Sequence, residues 1–118
     1  MSDSTVTVMQ LREAMHRFVA ERQWERYHAP KNLVMGLAIE TAELMEHFLW
    51  LDVEESRLRG AEPAHRQAIA DELADVTCYV LALANSLQID LSDAVLAKLA
   101  KNAAKYPVER YRGRFATD

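Results

Sequence analysis

Two pairs of carboxylates stand out in a sequence of 118 residues. Glu40 and Glu43 are three residues apart, and so are Glu72 and Asp75. On an α-helix, residues i and i+3 share a face. Each pair has apolar surroundings: Gly36-Leu37-Ala38-Ile39 precedes the first, and Leu73, Ala74 and Val76 lie within and after the second. Packing the two segments together would gather four carboxylates in one place. Like charges that close repel, and loss of water raises the cost further. Either the groups point out to solvent, the usual fate of one such pair, or a divalent cation neutralises them. An oxygen-only donor set suits a hard ion, with Mg²⁺ first and Mn²⁺ second. A di-iron site would need Glu-x-x-His on two helices. Here Glu43 is followed at i+3 by Glu46 and Asp75 by Cys78, with His47 one position too far, so that chemistry fails on spacing.

A second set lies near the C-terminus. Lys98, Asn102 and Lys105 fall at i, i+4 and i+7, a single helical face that suits phosphate oxygens and equally describes an ordinary solvated surface. Charge is segregated accordingly. Leu37 to Asp75 holds ten acidic and three basic residues, whereas Lys98 to Arg114 holds six basic residues and one acidic. Solvated helix faces would explain this. So would one ligand that is both metal-bound and anionic, such as a phosphate ester.

The elements that must position these groups read as helices. The first runs from about Thr7 to Trp24, with Leu11, Ala14, Met15, Phe18 and Val19 near helical spacing. His28-Ala29-Pro30 breaks it, and Pro30 opens a second helix reaching about Leu51. That helix is apolar nearly all round, so it is expected to be covered on two sides, the second by another subunit. Asp52 to Pro63 reads as a loop with a helical turn near Glu54 to Leu58. A third helix spans Ala64 to Leu87, and a fourth follows Asp90, a good N-cap, to Tyr106. A basic tail, 108–118, is expected to extend over a surface. No alternating strand pattern occurs. The fold class is all-α: an antiparallel four-helix bundle, oligomeric, in one domain over 1–118.

Composition narrows the function. Half the chain is apolar, with three Gly and three Pro, which excludes a disordered chain and a turn-rich β fold. A net charge of −4 argues against a nucleic-acid coat. One cysteine excludes an internal disulfide and a Cys-based zinc site. The longest apolar stretches, Leu33 to Ile39 and Val76 to Ala84, are far short of a bilayer span, and the first residues are polar. The expected setting is cytoplasmic, with no membrane or nucleic-acid partner.

These residues carry a family resemblance. The stretch from Glu21 to Leu33, including Trp24 and His28, resembles the entry to the MazG-like all-α nucleoside triphosphate pyrophosphohydrolases, in particular their dCTP pyrophosphatase branch. Glu40-Thr41-Ala42-Glu43-Leu44-Met45-Glu46-His47-Phe48-Leu49-Trp50 resembles the family's first metal motif, and Asp71 to Tyr79 resembles the second. Asp90-Leu91 and Lys98-x-x-x-Asn102-x-x-Lys105-Tyr106-Pro107 resemble its ending. The resemblance implies Mg²⁺-dependent cleavage of a nucleoside triphosphate between the α and β phosphates. It makes Glu40, Glu43, Glu72 and Asp75 the metal ligands and catalytic groups. Lys98 and Asn102 would hold phosphate or sugar, and Trp24, His28, Trp50 and Tyr79 would line the nucleoside side. It also implies a homodimer or dimer of dimers with sites at the interface.

Two positions depart from the relatives. Thr41 stands where dimeric dUTP-hydrolysing enzymes carry a second Glu, which leaves water activation to the metal and one of the four carboxylates. Met15 stands where the dCTP branch commonly has a His, with His16 about 100° round the helix. By residue type alone, Trp24, Trp50 and Tyr79 could be core anchors, His28 a turn-stabilising group and Cys78 an inert thiol. The competing readings are a non-catalytic helical module of the same fold and a phosphoribosyl-ATP pyrophosphohydrolase.

Overall fold

A computed structural model describes residues 2–115, and every described regular element is helical. Helices α1 (Val8–Glu21), α2 (Pro30–Glu46), α3 (Val53–Arg59), α4 (Pro63–Leu87), α5 (Leu91–Lys105) and α6 (Val108–Tyr111) follow in order, with a 3₁₀ turn at Glu25–Tyr27. The chain divides into two compact units between Gln88 and Ile89. In the first, α2 packs along α4, and α1 packs on α4. The four long helices are those expected. Three of them form the first unit and α5 belongs to the second.

Local chemistry explains the boundaries. Thr7 starts α1 through a reciprocal capping box: its Oγ1 accepts from the Gln10 amide (3.1 Å), and its own amide donates to Gln10 Oε1 (2.8 Å). The helix stops at Glu21, three residues before the expected end, because Gln23 takes a left-handed conformation (φ 53°). The Gln23 amide returns to the Ala20 carbonyl and the Trp24 amide to Val19, a Schellman closure formed without glycine. Similarly, α2 ends at Glu46 rather than near Leu51. Successive turns carry the chain through Phe48 to Leu51, and Asp52 Oδ1 accepts from the Glu55 amide (2.8 Å) to start α3. The turn expected near Glu54 to Leu58 is a two-turn helix over Val53–Arg59, with Glu54 and Glu55 at its positive end and Arg57 and Arg59 at its negative end.

Prolines occupy the first turns of α2 and α4, where a missing amide hydrogen costs nothing. In the second unit, Asp90 caps α5 by accepting from the Asp93 amide (2.9 Å). The basic tail begins differently from expectation. Pro107 restarts a single helical turn, and the rings of Tyr106 and Tyr111 meet edge to face at 5.2 Å. Residues 116–118 of that tail lie outside the described residues.

The core of the first unit is small: Val19, Leu33, Leu81, Ala82 and Ala84 are buried, with Leu33 only 2% exposed. The other apolar side of α2 is open. Val34, Met35, Ile39 and Met45 on the helix, and Leu49 after it, are all more than half exposed. The folded chain covers one of the two sides that its pattern marks for burial.

Candidate active site

Helices α2 and α4 run antiparallel, and their registers interlock. Gly36 meets Tyr79, and one turn along Glu40 shares its surroundings with Asp75 and Glu72. Single carboxylate oxygens of Glu40, Glu43 and Glu72 all lie within 4.8 Å of one another. Glu40 and Glu72 each hold one buried carboxylate oxygen, Oε2, that accepts no hydrogen bond. Unsatisfied buried oxygens of this kind are costly unless something positive approaches them.

The strain appears in their acidity. Glu40 is raised from 4.5 to about 7, first by loss of water, then by contact with Glu43, then by the charges of Asp75 and Glu72. Glu72 is raised by desolvation and by Glu43. Three carboxylates, two of which carry a buried oxygen with no partner, form a donor set that fits a hard divalent cation. Asp75 stands outside this trio. Its carboxylate acts on Glu40, Glu72 and Cys78 through space and faces an adjoining cavity.

That cavity, of about 370 Å³, is lined by Met15, Phe18, Trp24, His28, Glu40, Asp75, Cys78 and Tyr79. Its walls are mostly apolar and aromatic, and two carboxylates stand at its edge. A site for a flat ring beside a charged group takes this form. The Schellman closure of α1 puts Trp24 there, with its ring edge-on to Phe18 at 5.9 Å. His28 is held from behind, since Ser86 Oγ donates to its carbonyl (3.2 Å), and Asn32 Nδ2 donates to the Tyr27 carbonyl (3.0 Å). Tyr79 projects from α4 one turn after Asp75. A second cavity of about 230 Å³ shares Met15 and His28 with the first and adds His16, Glu25, Asn85 and Ser86. Met15 thus lines both cavities and His16 the second one.

The sequence-derived residues divide into three groups. Glu40, Glu43, Glu72, Asp75, Trp24, His28 and Tyr79 are brought together in the first unit. Trp50, 90% exposed in the turns after α2, does not line this cavity. Lys98 and Asn102 stand on α5 in the second unit, where Lys98 borders a shallow apolar recess with Ala94, Val95 and Leu99 and Asn102 is half-buried. Thr41 turns its hydroxyl back to the Leu37 carbonyl (2.8 Å).

Phe18 and Cys78 were not anticipated as cavity residues. Phe18 lies at i+3 from Met15 and Cys78 at i+3 from Asp75, so the same spacing rule that pairs the carboxylates could have found them. The Cys78 thiol is pushed up by burial and by Asp75, which keeps it protonated.

Comparison with known proteins settles the lineage. The MazG-like family matches residues 36–114, which include both carboxylate pairs and α5. The chain belongs to the MazG-like family. It is 40% identical over 110 residues to dCTP pyrophosphatase 1 of Bos taurus, a match covering 93% of this chain and 65% of that protein. Against dCTP pyrophosphatase 1 of Homo sapiens it is 40% identical over 106 residues, covering 90% of this chain and 62% of the relative. The chain thus spans a little under two thirds of the mammalian relatives it matches. A pyrophosphatase from Archaeoglobus fulgidus has a similar structure, with a TM-score of 0.81 and 32% identity, over 91% of this chain and 98% of that one.

Proposed function

We propose that this MazG-like protein is a Mg²⁺-dependent nucleoside triphosphate pyrophosphohydrolase, with Mn²⁺ an alternative ion. It cleaves dCTP or a modified pyrimidine deoxynucleotide to the monophosphate and pyrophosphate, in nucleotide-pool house-cleaning. The observation that carries this reading is the juxtaposition of the Glu40–Glu43–Glu72 oxygen cluster with an aromatic-walled cavity. Metal-assisted hydrolysis of a phosphoanhydride needs the first, and recognition of a base needs the second. The names of the mammalian relatives and of the archaeal neighbour support the same chemistry.

In this reading Glu40, Glu43, Glu72 and Asp75 hold the cation. When bound, it neutralises phosphate oxygens and makes water easier to deprotonate. Trp24 and Tyr79 flank the nucleoside, and His28, fixed through Ser86, offers a hydrogen bond to it. A carboxylate at the cavity edge, Glu40 or Asp75, accepts the proton of the attacking water. The oxygen of that water joins the nucleotide, and the bond between the α and β phosphates breaks. Pyrophosphate then leaves. By the family resemblance, Lys98 and Asn102 would hold phosphate oxygens or the sugar.

The open apolar side of α2 supports assembly into a homodimer or dimer of dimers. Trp50, so exposed in one chain, then serves a site shared between copies, and the 118 residues act as a single domain. Purified protein with Mg²⁺ should release pyrophosphate, with no orthophosphate as a first product, from at least one member of a nucleotide panel that includes phosphoribosyl-ATP. Orthophosphate as the sole first product would refute cleavage between the α and β phosphates. Sedimentation should give a dimer or tetramer, and a monomer would refute the shared site.

A further inference from the structure

Gly36 on α2 lies directly against Tyr79 on α4. A Cβ placed there would lie 2.3 Å from Tyr79 Cε1, 2.6 Å from Cζ and 3.0 Å from the hydroxyl oxygen. The ring of Tyr79 therefore occupies the space a side chain at position 36 would need. Glycine is a poor choice for the interior of a helix, because it loses the most backbone freedom on folding. Here its bareness does something specific. The Gly36–Tyr79 contact lies one turn beyond Glu40 and Asp75, and Tyr79 is also a wall of the cavity.

We propose that Gly36 is a positioning residue for substrate: it lets the Tyr79 ring rest against α2 and thereby keeps the cavity wide enough for a nucleobase. This rests on the reading above that the cavity receives the nucleoside. The three atoms nearest to an added methyl group are at the far end of the tyrosine side chain. The ring, rather than either helix, is the part free to give way. Pushed off α2, it swings into the space it now borders, toward Trp24 and His28. The cavity narrows while the carboxylates, a turn away, keep their places.

Gly36→Ala tests this. The variant should fold, since alanine favours helix, and its melting temperature should hold or rise. A crystal structure of the nucleotide-free variant should show the Tyr79 ring displaced into the cavity with the α2–α4 spacing kept. KM should rise roughly tenfold, since a small misplacement at a binding wall is costly, while kcat stays close to that of the parent protein. The rise should be larger for a purine than for a pyrimidine nucleotide. In a Tyr79→Ala background, Gly36→Ala should change KM no further. A ring left in place with the helices spread apart overturns the proposal, as does an unchanged KM or an equal penalty in both backgrounds. If the parent protein cleaves no nucleotide, the proposed function fails, and the ring position in the variant alone decides the role of Gly36.

Discussion

Arg12 on α1 and Asn85 on α4 hold each other by both ends. The Arg12 guanidinium donates to Asn85 Oδ1 (2.9 Å) and to the Ala84 carbonyl (3.1 Å), and Asn85 Nδ2 donates back to the Arg12 carbonyl (3.0 Å). This clasp fixes the helix that carries Met15 and Phe18 against the one that carries Asp75 and Tyr79. Asn85→Ala removes two of these hydrogen bonds between α1 and α4. It should lower unfolding free energy by about 1–3 kcal/mol. Chemical denaturation checks this, and a midpoint equal to that of the parent protein would show that the clasp contributes nothing.

Removing one carboxylate tests the metal site. Glu43→Ala and Asp75→Ala should each lower turnover by roughly 100-fold or more, the scale seen when one group stabilising charge is lost. Helical circular dichroism should not change, because both positions are exposed. Mg²⁺ should raise the melting temperature of the parent protein but not of the Glu43 variant. Full activity in both variants would remove these residues from the site.

The acidity of Glu40 predicts a pH signature. Its pKa is 4.5 when unperturbed and about 7 in the fold, so between these values the folded state binds the proton more tightly. Stability from this group is complete below the lower value and is lost as pH rises through the upper one. Metal-free protein should therefore melt at progressively lower temperature from pH 5 to pH 8, and Mg²⁺ should stabilise it most at the alkaline end. Glu40→Gln should flatten the trend. Asp52, whose pKa is lowered by the Glu55 amide, acts in the opposite sense and only in more acidic solution. A melting temperature that rises across the interval would contradict the desolvated cluster.

Trp24 offers an optical test of the cavity. Its ring is partly exposed and lies edge-on to Phe18. In a Trp50→Phe variant, Trp24 is the remaining tryptophan, and its emission should change saturably as a non-hydrolysable nucleotide analogue is added with Mg²⁺. A flat titration under conditions where calorimetry detects binding would place the base elsewhere.

Strain at one helix end gives a stability prediction. Gln88 closes α4 in a left-handed conformation (φ 54°), a geometry that costs a residue with a Cβ. Gln88→Gly should stabilise the protein by up to about 1 kcal/mol, as read by thermal unfolding. A loss of stability would mean that the Gln88 side chain contributes more than its backbone costs.

The helices and the carboxylate pairs were legible because both depend on spacing within one segment. Glu40 with Glu43, and Glu72 with Asp75, needed only the 3.6-residue period. The end of α1 was not legible, because Gln23 adopts a conformation normally signalled by glycine and nothing in its type announces it. α3 was legible only as a turn near Glu54 to Leu58, since a helix of seven residues has too few apolar positions to show a period, and its cap and end charges carry the rest of the signal. The Gly36–Tyr79 approach depends on how two helices 43 positions apart are registered, which no local pattern encodes. The exposure of Trp50 likewise follows from where α2 stops.

Ring contact and carboxylates are spaced along α2 and α4 in matching steps, in opposite directions. The pair behaves like a rack of teeth, tolerant of exchanged surface residues but not of altered length. A single residue inserted between Gly36 and Glu40 would rotate everything beyond it by about 100°. The glutamates would then face away from α4 while the bare notch at position 36 still faced Tyr79. Homologous sequences should accordingly vary in length in the turns after Glu46 and before Pro63, and hardly at all between Gly36 and Glu43 or between Glu72 and Tyr79.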